Sequence, residues 1–344
     1  MNRRDPGFWP TLLGHLSAGE SLSTDDAAEA MRATMEGEVT PAQVGAFLLA
    51  LRTKGETVDE LDGFATTALD FAKPVHTSAP TVDTCGTGGD RSGTFNISTL
   101  GAIVAAGAGA IVAKHGNRAA SSNCGSADLL EALGVRIDLD ASGVERCLAE
   151  AGIGFMFAPV FHPAAAYAAG IRRELRVPTV FNFFGPLMNP ARPASQVVGV
   201  ADARMLPLVA EVLARRGIRA RVFRGQDGLD ELTTTGLSTV HEIASGEVKE
   251  RTLDPVELGF QRAAPADLTG GDVSMNADIA RSVLRGDQGP RRDVVVLNAA
   301  AALDVAGIAT SLEDGVGRAV ESIDSGAASE ALRRWVEVSQ ATVT

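Results

Sequence analysis

The pattern of hydrophobic and polar positions changes near Lys73-Pro74. Before that point, residues 8–73 carry apolar positions at helical spacing, with capping signals ahead of the apolar runs. Thr40-Pro41-Ala42-Gln43 and Thr57-Val58-Asp59-Glu60 are both capping boxes. Because no strand pattern interrupts these runs, they predict a small helical domain built from three or four short helices.

After residue 74, short apolar runs alternate with helical segments, which is typical of a mostly parallel sheet with crossover helices. Strands are predicted over residues 81–83, 110–113, 135–137, 154–157, 197–200 and 219–223, and a hairpin over 239–243 and 247–252 that turns at Ser245-Gly246. We therefore predict an α/β protein. A small all-helical N-terminal domain covers residues 1–73, joined by helices from about 162–190. A large domain with a mostly parallel central sheet flanked by helices covers residues 74–344.

Composition and charge narrow the class of protein. A hydrophobic content of 45% and a charged content of 22% are ordinary for a globular protein. The net charge of −12 argues against nucleic-acid or anionic-membrane partners. Residues 1–20 lack a signal-peptide core, and the apolar stretch 100–113 is too short to span a bilayer. The three cysteines form no CxxC pair, which favours small packing residues in a reducing, cytoplasmic setting.

Residues 83–126 carry most of the candidate chemistry and hold a net charge of +1 in this acidic chain. Glycines at 86, 88, 89 and 93 leave the first loop's backbone uncovered, so an anion can approach its N–H groups. Neither the Walker nor the Rossmann glycine spacing is present, and such a cluster alone is as readily a tight turn. The second loop, residues 114–122, adds lysine, histidine and arginine. Two such loops ending neighbouring parallel strands predict a site for a phosphate-rich substrate.

Two later segments add polar groups to this picture. Arg172 can bind a carboxylate bidentately beside the aromatic loop 181–193, or form a surface ion pair with Glu174. Asp227, Asp230 and Glu231 follow a predicted strand. Hard oxygen ligands of this kind suit Mg²⁺ shared with substrate phosphates, and a solvated acidic turn is the alternative.

Two histidines have their own alternatives. His115 can hydrogen-bond a substrate or act as an acid or base near neutral pH. His162 is predicted to cap or pack before Pro163.

Taken in order, these segments resemble the anthranilate phosphoribosyltransferase family. The resemblance rests on GTGGD with TFNIST, KHGNRAASS with GSADLLEALGV, RRELRVPTVFNFFGPLMNP, and DGLDELTTTG, and it runs from about residue 10 to residue 338. It implies a homodimer that associates through the helical part. The implied reaction transfers the phosphoribosyl group of 5-phospho-α-D-ribose 1-diphosphate (PRPP) to anthranilate, with Mg²⁺, in tryptophan biosynthesis.

The resemblance also implies residue roles. Lys114, Asn117 and Arg172 are the expected catalytic residues. Anthranilate is expected at Gly86, Asn117 and Arg172, and the metal at Ser98, Asp230 and Glu231. The expected PRPP site comprises Gly86, Gly89, Asp90, Thr94, Asn96, Ile97, Ser98, Thr99, Lys114, His115, Gly116, Asn117, Arg118, Ala119, Ala120, Ser121, Ser122 and Ser126.

Two other functions stay open at this point: a pyrimidine nucleoside phosphorylase-like enzyme and a non-catalytic phosphoribosyl- or nucleotide-binding protein. The phosphorylases share the implied architecture, but their lysine- and glycine-rich phosphate signature is absent here. The chain departs from the family pattern at Arg91, Arg176, Phe184 and Arg224. Arg91 places a bulky cation in the glycine loop, where it can contact phosphate, face solvent or hinder loop closure.

Overall fold

The computed structural model describes Arg3, residues 5–119 and residues 123–341. Within these residues, four helices precede a seven-stranded sheet with helices on both faces. The helices are α1 (Phe8–Ser17), α2 (Thr24–Glu36), α3 (Pro41–Lys54), α4 (Val58–Asp70), α5 (Ile97–Gly107), α6 (Ser126–Ala132), α7 (Ala141–Ala151), α8 (Ala158–Phe161), α9 (Ala166–Leu175), α10 (Leu206–Arg215), α11 (Val273–Leu284), α12 (Pro290–Val305), α13 (Leu312–Asp324) and α14 (Ala327–Ala341). The strands are β1 (Val82–Gly86), β2 (Val112–Gly116), β3 (Ile153–Phe157), β4 (Ser195–Gly199), β5 (Arg219–Gly225), β6 (Ser238–Ala244) and β7 (Glu247–Leu253).

Both predicted capping boxes start helices of the N-terminal part. The Thr40 hydroxyl accepts the Gln43 N–H at the start of α3, and the Thr57 hydroxyl accepts the Glu60 N–H at the start of α4. Each acidic or amide partner returns a bond to the capping residue's backbone, so two otherwise unpaired N–H groups are satisfied at each end. The prediction of short helices in this region is confirmed.

The sheet has the strand order β3-β2-β1-β4-β5-β6-β7. Strands β1 to β5 pair in parallel, and β6 and β7 form an antiparallel hairpin whose turn residues, Ser245 and Gly246, both have positive φ. This confirms the predicted sheet and hairpin. The order reverses between β1 and β4, where Gly86 and Gly199 end adjacent strands. A reversal of this kind opens a crevice at the strand ends, the usual ligand site of α/β folds.

The strand predicted over residues 135–137 is wrong. Val135 and Ile137 are buried, as an apolar run predicts, but they lie in an extended connection between α6 and α7. The Arg136 N–H donates to the Ser339 hydroxyl of α14 at 3.1 Å. The run is therefore buried under a helix, and apolar character alone does not distinguish this from a strand.

The buried hydrophobic residues form two clusters. One lies between the sheet and α5, α12 and α14. The other joins α1–α4 to α10 and to the opposite face of the sheet at Val198 and Val222. Ion pairs cross the same junction, Arg216 with Asp62 at 2.8 Å among them. The helical part thus packs directly on the sheet beside the strand reversal, while the domain boundary at residue 73 stays a prediction.

Among the described helices, none combines the length and the apolar character that a bilayer crossing needs.

Candidate active site

The site begins where β1 and β4 end. Each strand finishes in a glycine, and a Cβ on either Gly86 or Gly199 would overlap atoms of Asp230. The two glycines therefore let the acidic loop after β5 lie directly on the strand ends. The Gly88 N–H donates to the Asp230 carboxylate at 2.7 Å. The glycine loop and the acidic loop, which are far apart in the sequence, meet at this contact.

The glycine loop has an exposed backbone that turns repeatedly through the left-handed region. Gly88, Gly89 and Gly93 have φ values of 70°, 84° and 70°, and Arg91 lies among them at 59°. Residues 88, 89 and 91–93 are exposed. Backbone N–H groups in such a loop are accessible to an anion. Asp90 holds the backbone around Arg91 in place, because its carboxylate accepts both the N–H and the hydroxyl of Ser92.

The start of α5 supplies the next part of the site. The Ser98 N–H donates to the Glu231 carboxylate at 3.1 Å, and Asn96 donates from its amide to the Cys124 carbonyl at 3.0 Å. Ile97 and Thr99 are each 1% exposed as whole residues, so both are buried beneath the surface of the site. Thr94 pairs with Thr269 in an isolated bridge at the edge of the site.

Lys114 lies inside the protein in the middle of β2. The residue is 2% exposed, and its ammonium donates to the Thr84 carbonyl at 2.5 Å and to the Ser98 hydroxyl at 3.4 Å. Burial lowers the pKa of Lys114, and the negative charge of Asp83 opposes this shift. In this structure the lysine ammonium therefore contacts Thr84 and Ser98 from beneath the candidate site.

His115 and His162 form a buried pair whose ring centroids are 5.0 Å apart. Burial lowers the pKa of His115 to about 3, and that of His162 to about 4. Both rings are therefore neutral near pH 7, which fits a hydrogen-bonding or packing role for His115 better than acid catalysis. His162 is buried and packs against the His115 ring, which agrees with the packing role predicted for it.

The second loop is held by α6. Asn117 is exposed, and its carbonyl accepts the Ser126 hydroxyl at 3.1 Å. The Arg118 guanidinium pairs with Asp128 at 2.8 Å and Glu131 at 2.5 Å. The Asp128 carboxylate also accepts the N–H groups of Ala119 and Gly125.

Gly116 lies against the Ser126 hydroxyl, where there is no room for a Cβ. Three predicted PRPP contacts of this loop, Ala120, Ser121 and Ser122, lie outside the described residues.

The acidic loop divides into a structural carboxylate and two candidate ligands. Asp227 accepts the hydroxyls of Thr233 and Thr235, so it closes the turn. Burial and the charge of Asp90 raise the pKa of Asp230 to about 6. Burial and the charge of Asp230 raise the pKa of Glu231 as well. Like charges crowded in this way are stabilised by a cation.

Arg172 lies on the last turn of α9, partly buried, with its guanidinium 5.0 Å from the centre of the Phe181 ring. Burial lowers its pKa. Among the described residues, no carboxylate lies within ion-pair distance of this guanidinium, so the alternative of a pair with Glu174 is wrong. The cation instead covers an aromatic face in the loop predicted to wall a flat ligand.

Two domains of one glycosyl transferase family match the chain. Its helical bundle domain matches residues 10–72, and its a/b domain matches residues 78–329. Curated relatives match almost end to end. Anthranilate phosphoribosyltransferase from Saccharopolyspora erythraea is 53% identical over 336 residues, which cover 96% of both chains. The enzyme of that name from Moorella thermoacetica is 55% identical over 330 residues, covering 94% of this chain and 97% of the relative. The chain belongs to the anthranilate phosphoribosyltransferase family.

Solved structures of this family share the fold. Anthranilate phosphoribosyltransferase from Thermus thermophilus superposes with a TM-score of 0.91 at 44% identity, covering 96% of this chain and 99% of that one. The Saccharomyces cerevisiae enzyme in complex with PRPP and Mg gives a TM-score of 0.90 at 27% identity, covering 99% and 100%. The family resemblance, fold class and enzyme class predicted from the sequence are confirmed.

The residues present fit a Mg²⁺ ion of the kind this family uses. Within the described residues, no group of three or more His, Cys, Asp or Glu side chains is arranged to hold a metal. Asp230, Glu231 and the Ser98 hydroxyl offer oxygen ligands without completing a coordination sphere. Mg²⁺ ordinarily keeps several waters and takes the rest of its ligands from substrate phosphates. A partial set of hard oxygen ligands from the protein therefore fits a Mg²⁺ ion whose other ligands are water and substrate phosphate oxygens.

Two buried asparagines, Asn298 and Asn276, hold backbone and side chains of the candidate site and were not predicted from the sequence. Asn298 on α12 donates to the Leu232 carbonyl at 2.9 Å and accepts the Leu232 N–H at 3.0 Å, so it clamps the backbone next to Glu231. Asn276 on α11 donates to the Asn96 amide oxygen at 3.0 Å. The sequence signal for both is an asparagine within an apolar or alanine-rich helical run: Asn276 shortly after Gly270-Gly271-Asp272, and Asn298 directly before the alanines at 299–302.

Proposed function

We propose that this chain transfers the phosphoribosyl group of PRPP to the amine of anthranilate, forming N-(5-phosphoribosyl)anthranilate and pyrophosphate in tryptophan biosynthesis. Support comes from full-length family membership and from one structural observation. The Gly88–Asp230 and Ser98–Glu231 contacts bring an exposed anion-binding loop onto two carboxylates suited to Mg²⁺. A diphosphate together with its metal matches that combination of groups.

In the donor half, the glycine loop and the second loop surround the diphosphate and ribose. Asp230, Glu231 and Ser98 would hold Mg²⁺, which when bound supplies positive charge against the departing pyrophosphate. Backbone N–H groups of the glycine loop, apart from those of Gly88 and Ser92 that Asp230 and Asp90 accept, add fixed dipoles toward the same charge. Lys114 contributes a buried positive charge and orients the Ser98 hydroxyl.

In the acceptor half, Arg172 binds the anthranilate carboxylate, with Asn117 and Gly86 nearby. Support comes from the position of its guanidinium, which covers the Phe181 ring and has no carboxylate partner among the described side chains. An aromatic acid can therefore meet a cation and aromatic walls together.

The reaction forms a bond between the anthranilate nitrogen and the ribose anomeric carbon and breaks the bond from that carbon to pyrophosphate. The nitrogen then loses one proton. An aromatic amine is already neutral at pH 7, so the demand on the protein is to position it and to offset charge on the leaving group. The neutral His115 and His162 agree with this, and we propose direct displacement without a ribosyl–enzyme intermediate.

A turnover assay with anthranilate, PRPP and Mg²⁺ tests the proposal through the loss of anthranilate fluorescence. Substrate consumption with pyrophosphate release is the expected result. Phosphate-dependent release of a base from a nucleoside would support the phosphorylase alternative. Tight donor binding without turnover would support the non-catalytic one.

Replacing Arg172 by alanine tests the acceptor assignment. We expect KM for anthranilate to rise roughly 30-fold or more, because a charge-assisted bidentate contact is lost, and KM for PRPP to change much less. Arg173→Ala is the matched control, since Arg173 is adjacent and exposed. Equal changes in both KM values would contradict the assignment.

We also propose that the enzyme is a cytoplasmic homodimer that associates through its helical part, with the domain boundary near residue 73. Support for the dimer comes from two exposed apolar side chains, Leu49 on α3 and Tyr167 on α9, at 48% and 59% exposure. Support for a reducing compartment comes from the three free, buried cysteines. Light scattering on the purified protein tests whether it is a dimer. Cell fractionation tests whether it is cytoplasmic.

A further inference from the structure

A chain of buried polar groups lies beneath the site. It belongs neither to the proposed donor half nor to the proposed acceptor half. Asp83 of β1 and Gln196 of β4 are register partners, with exposures of 0% and 3%. The Gln196 amide donates to the Asp83 carboxylate at 3.5 Å and to the Pro186 carbonyl at 2.9 Å. One side chain therefore joins a buried carboxylate in the sheet to a turn outside it.

The Asp83 end of this relay lies in the first half of β1, three residues before Gly86, where the glycine loop begins. The Asp83 carboxylate accepts the backbone N–H of His115 at 3.3 Å. Burial raises the pKa of Asp83, and the positive charge of Lys114 opposes that shift. Lys114 in turn contacts the Ser98 hydroxyl. A change at Asp83 would therefore act on groups beside the diphosphate.

The Pro186 end continues into the acceptor wall. The turn Gly185–Met188 follows Phe181 and Phe184, whose ring centroids are 5.0 Å apart. Immediately after the turn, the Asn189 amide donates to the Ala113 carbonyl of β2 at 2.8 Å. The wall that carries the Arg172–Phe181 contact is thus tied to the sheet through buried side-chain amides.

Burying a carboxylate and an amide in the middle of a sheet is costly, and well-packed apolar residues often serve stability better. The neighbouring Val197 and Val198 show that β4 accommodates such residues. What an apolar pair would not supply is directional contact to one carbonyl of the turn. We infer that Gln196 is a positioning residue for the acceptor: through the Asp83–Gln196–Pro186 relay it holds the aromatic wall in register with the donor loops. This inference rests on the proposed acceptor role of Arg172.

The test compares Gln196→Met with wild type, because methionine keeps the approximate volume but donates no hydrogen bond. We expect KM for anthranilate to rise roughly tenfold, kcat to fall roughly threefold, and KM for PRPP to change less than about twofold. Ser195→Ala is the matched control. It removes a buried hydroxyl on the same strand that faces Thr81, at the end of the strand away from the site. It should lower the melting temperature and leave both KM values unchanged.

A double-mutant cycle with Asp83→Asn examines the relay itself. If the two residues act as one unit, the double variant raises KM for anthranilate about as much as the stronger single variant does. Independent, additive effects would overturn the inference, as would a Gln196→Met enzyme with unchanged KM for anthranilate. Measuring Arg172→Ala in parallel separates the two proposals. If that variant loses anthranilate affinity and Gln196→Met does not, only the relay fails.

Discussion

Arg91 combines a bulky side chain with a backbone conformation that favours glycine. Its φ of 59° lies in the left-handed region, which costs a residue with a Cβ about 1–2 kcal/mol. Its neighbours in that conformation, Gly89 and Gly93, incur no such cost.

Replacing Arg91 by glycine should therefore raise the free energy of unfolding by about 0.5–1 kcal/mol, once the greater freedom of glycine in the unfolded chain is subtracted. Urea denaturation measures this. Arg91→Ala is the control, because alanine keeps the Cβ and should show no gain. Equal effects of the two variants would contradict the strain argument.

Asp230 connects function to pH-dependent stability. Its folded-state pKa, about 6, lies above the ordinary 3.8, so the folded protein holds this proton more tightly than the unfolded chain does. Between about pH 4 and 6, the contribution of Asp230 to the free energy of unfolding therefore falls as pH rises, and the penalty persists above that range.

Asp230→Asn should remove this fall, so the variant should melt higher than wild type at pH 7 without Mg²⁺. Its kcat/KM should drop on the order of a hundredfold, because a metal-binding carboxylate is lost. Melting curves at several pH values, with and without Mg²⁺ and PRPP, measure both effects. Asp227→Asn is the control and should lower stability without changing the Mg²⁺ dependence. A wild type that melts higher than Asp230→Asn at pH 7 would count against this account.

At the scale of elements, α12 acts on the site through one amide. Asn298 makes two bonds to the Leu232 backbone, although nearly every other residue of this helix packs in the core. Asn298→Ala should lower stability by about 1–3 kcal/mol, because a buried N–H loses its partner, and should weaken Mg²⁺ activation roughly 10-fold or more.

Ser322→Ala provides the comparison for Asn298→Ala. It deletes a buried bond to the Val104 carbonyl, between α13 and α5. Stability should fall while Mg²⁺ activation stays normal. Titration of activity against Mg²⁺ distinguishes the two variants, and identical titration curves would remove Asn298 from the site.

At the scale of the whole molecule, the helical part and the sheet share one hydrophobic cluster. Trp9 lies in that cluster and Trp335 lies in the other one, so the two tryptophans report on different parts of the protein. Trp9→Phe leaves Trp335 as the fluorescence probe, and Trp335→Phe leaves Trp9. We expect the fluorescence midpoint of each variant to agree within about 2 °C with the midpoint that its own backbone signal gives. Far-ultraviolet circular dichroism provides the reference transition. Separate midpoints would show that the helical part unfolds independently.

Local features of the sequence account for much of the fold. The capping boxes at Thr40 and Thr57, the strand and helix alternation after residue 74, and the Ser245-Gly246 turn depend on residues close in sequence. Their physics is local, so their pattern is readable. The strand prediction for the run 135–137 is wrong because burial under α14 and burial in a sheet select the same apolar residues.

The sequence by itself determined the family, the enzyme class and the residue types of the candidate site. Only the tertiary structure decided that Lys114 is enclosed beside Ser98, that Asp227 is structural while Asp230 meets Gly88, and that Arg172 lies over Phe181. It also revealed the amides of Asn298 and Gln196. These roles depend on contacts between residues that are mostly far apart in the chain. Such contacts arise from the packing of the sheet and its helices, which no local pattern encodes.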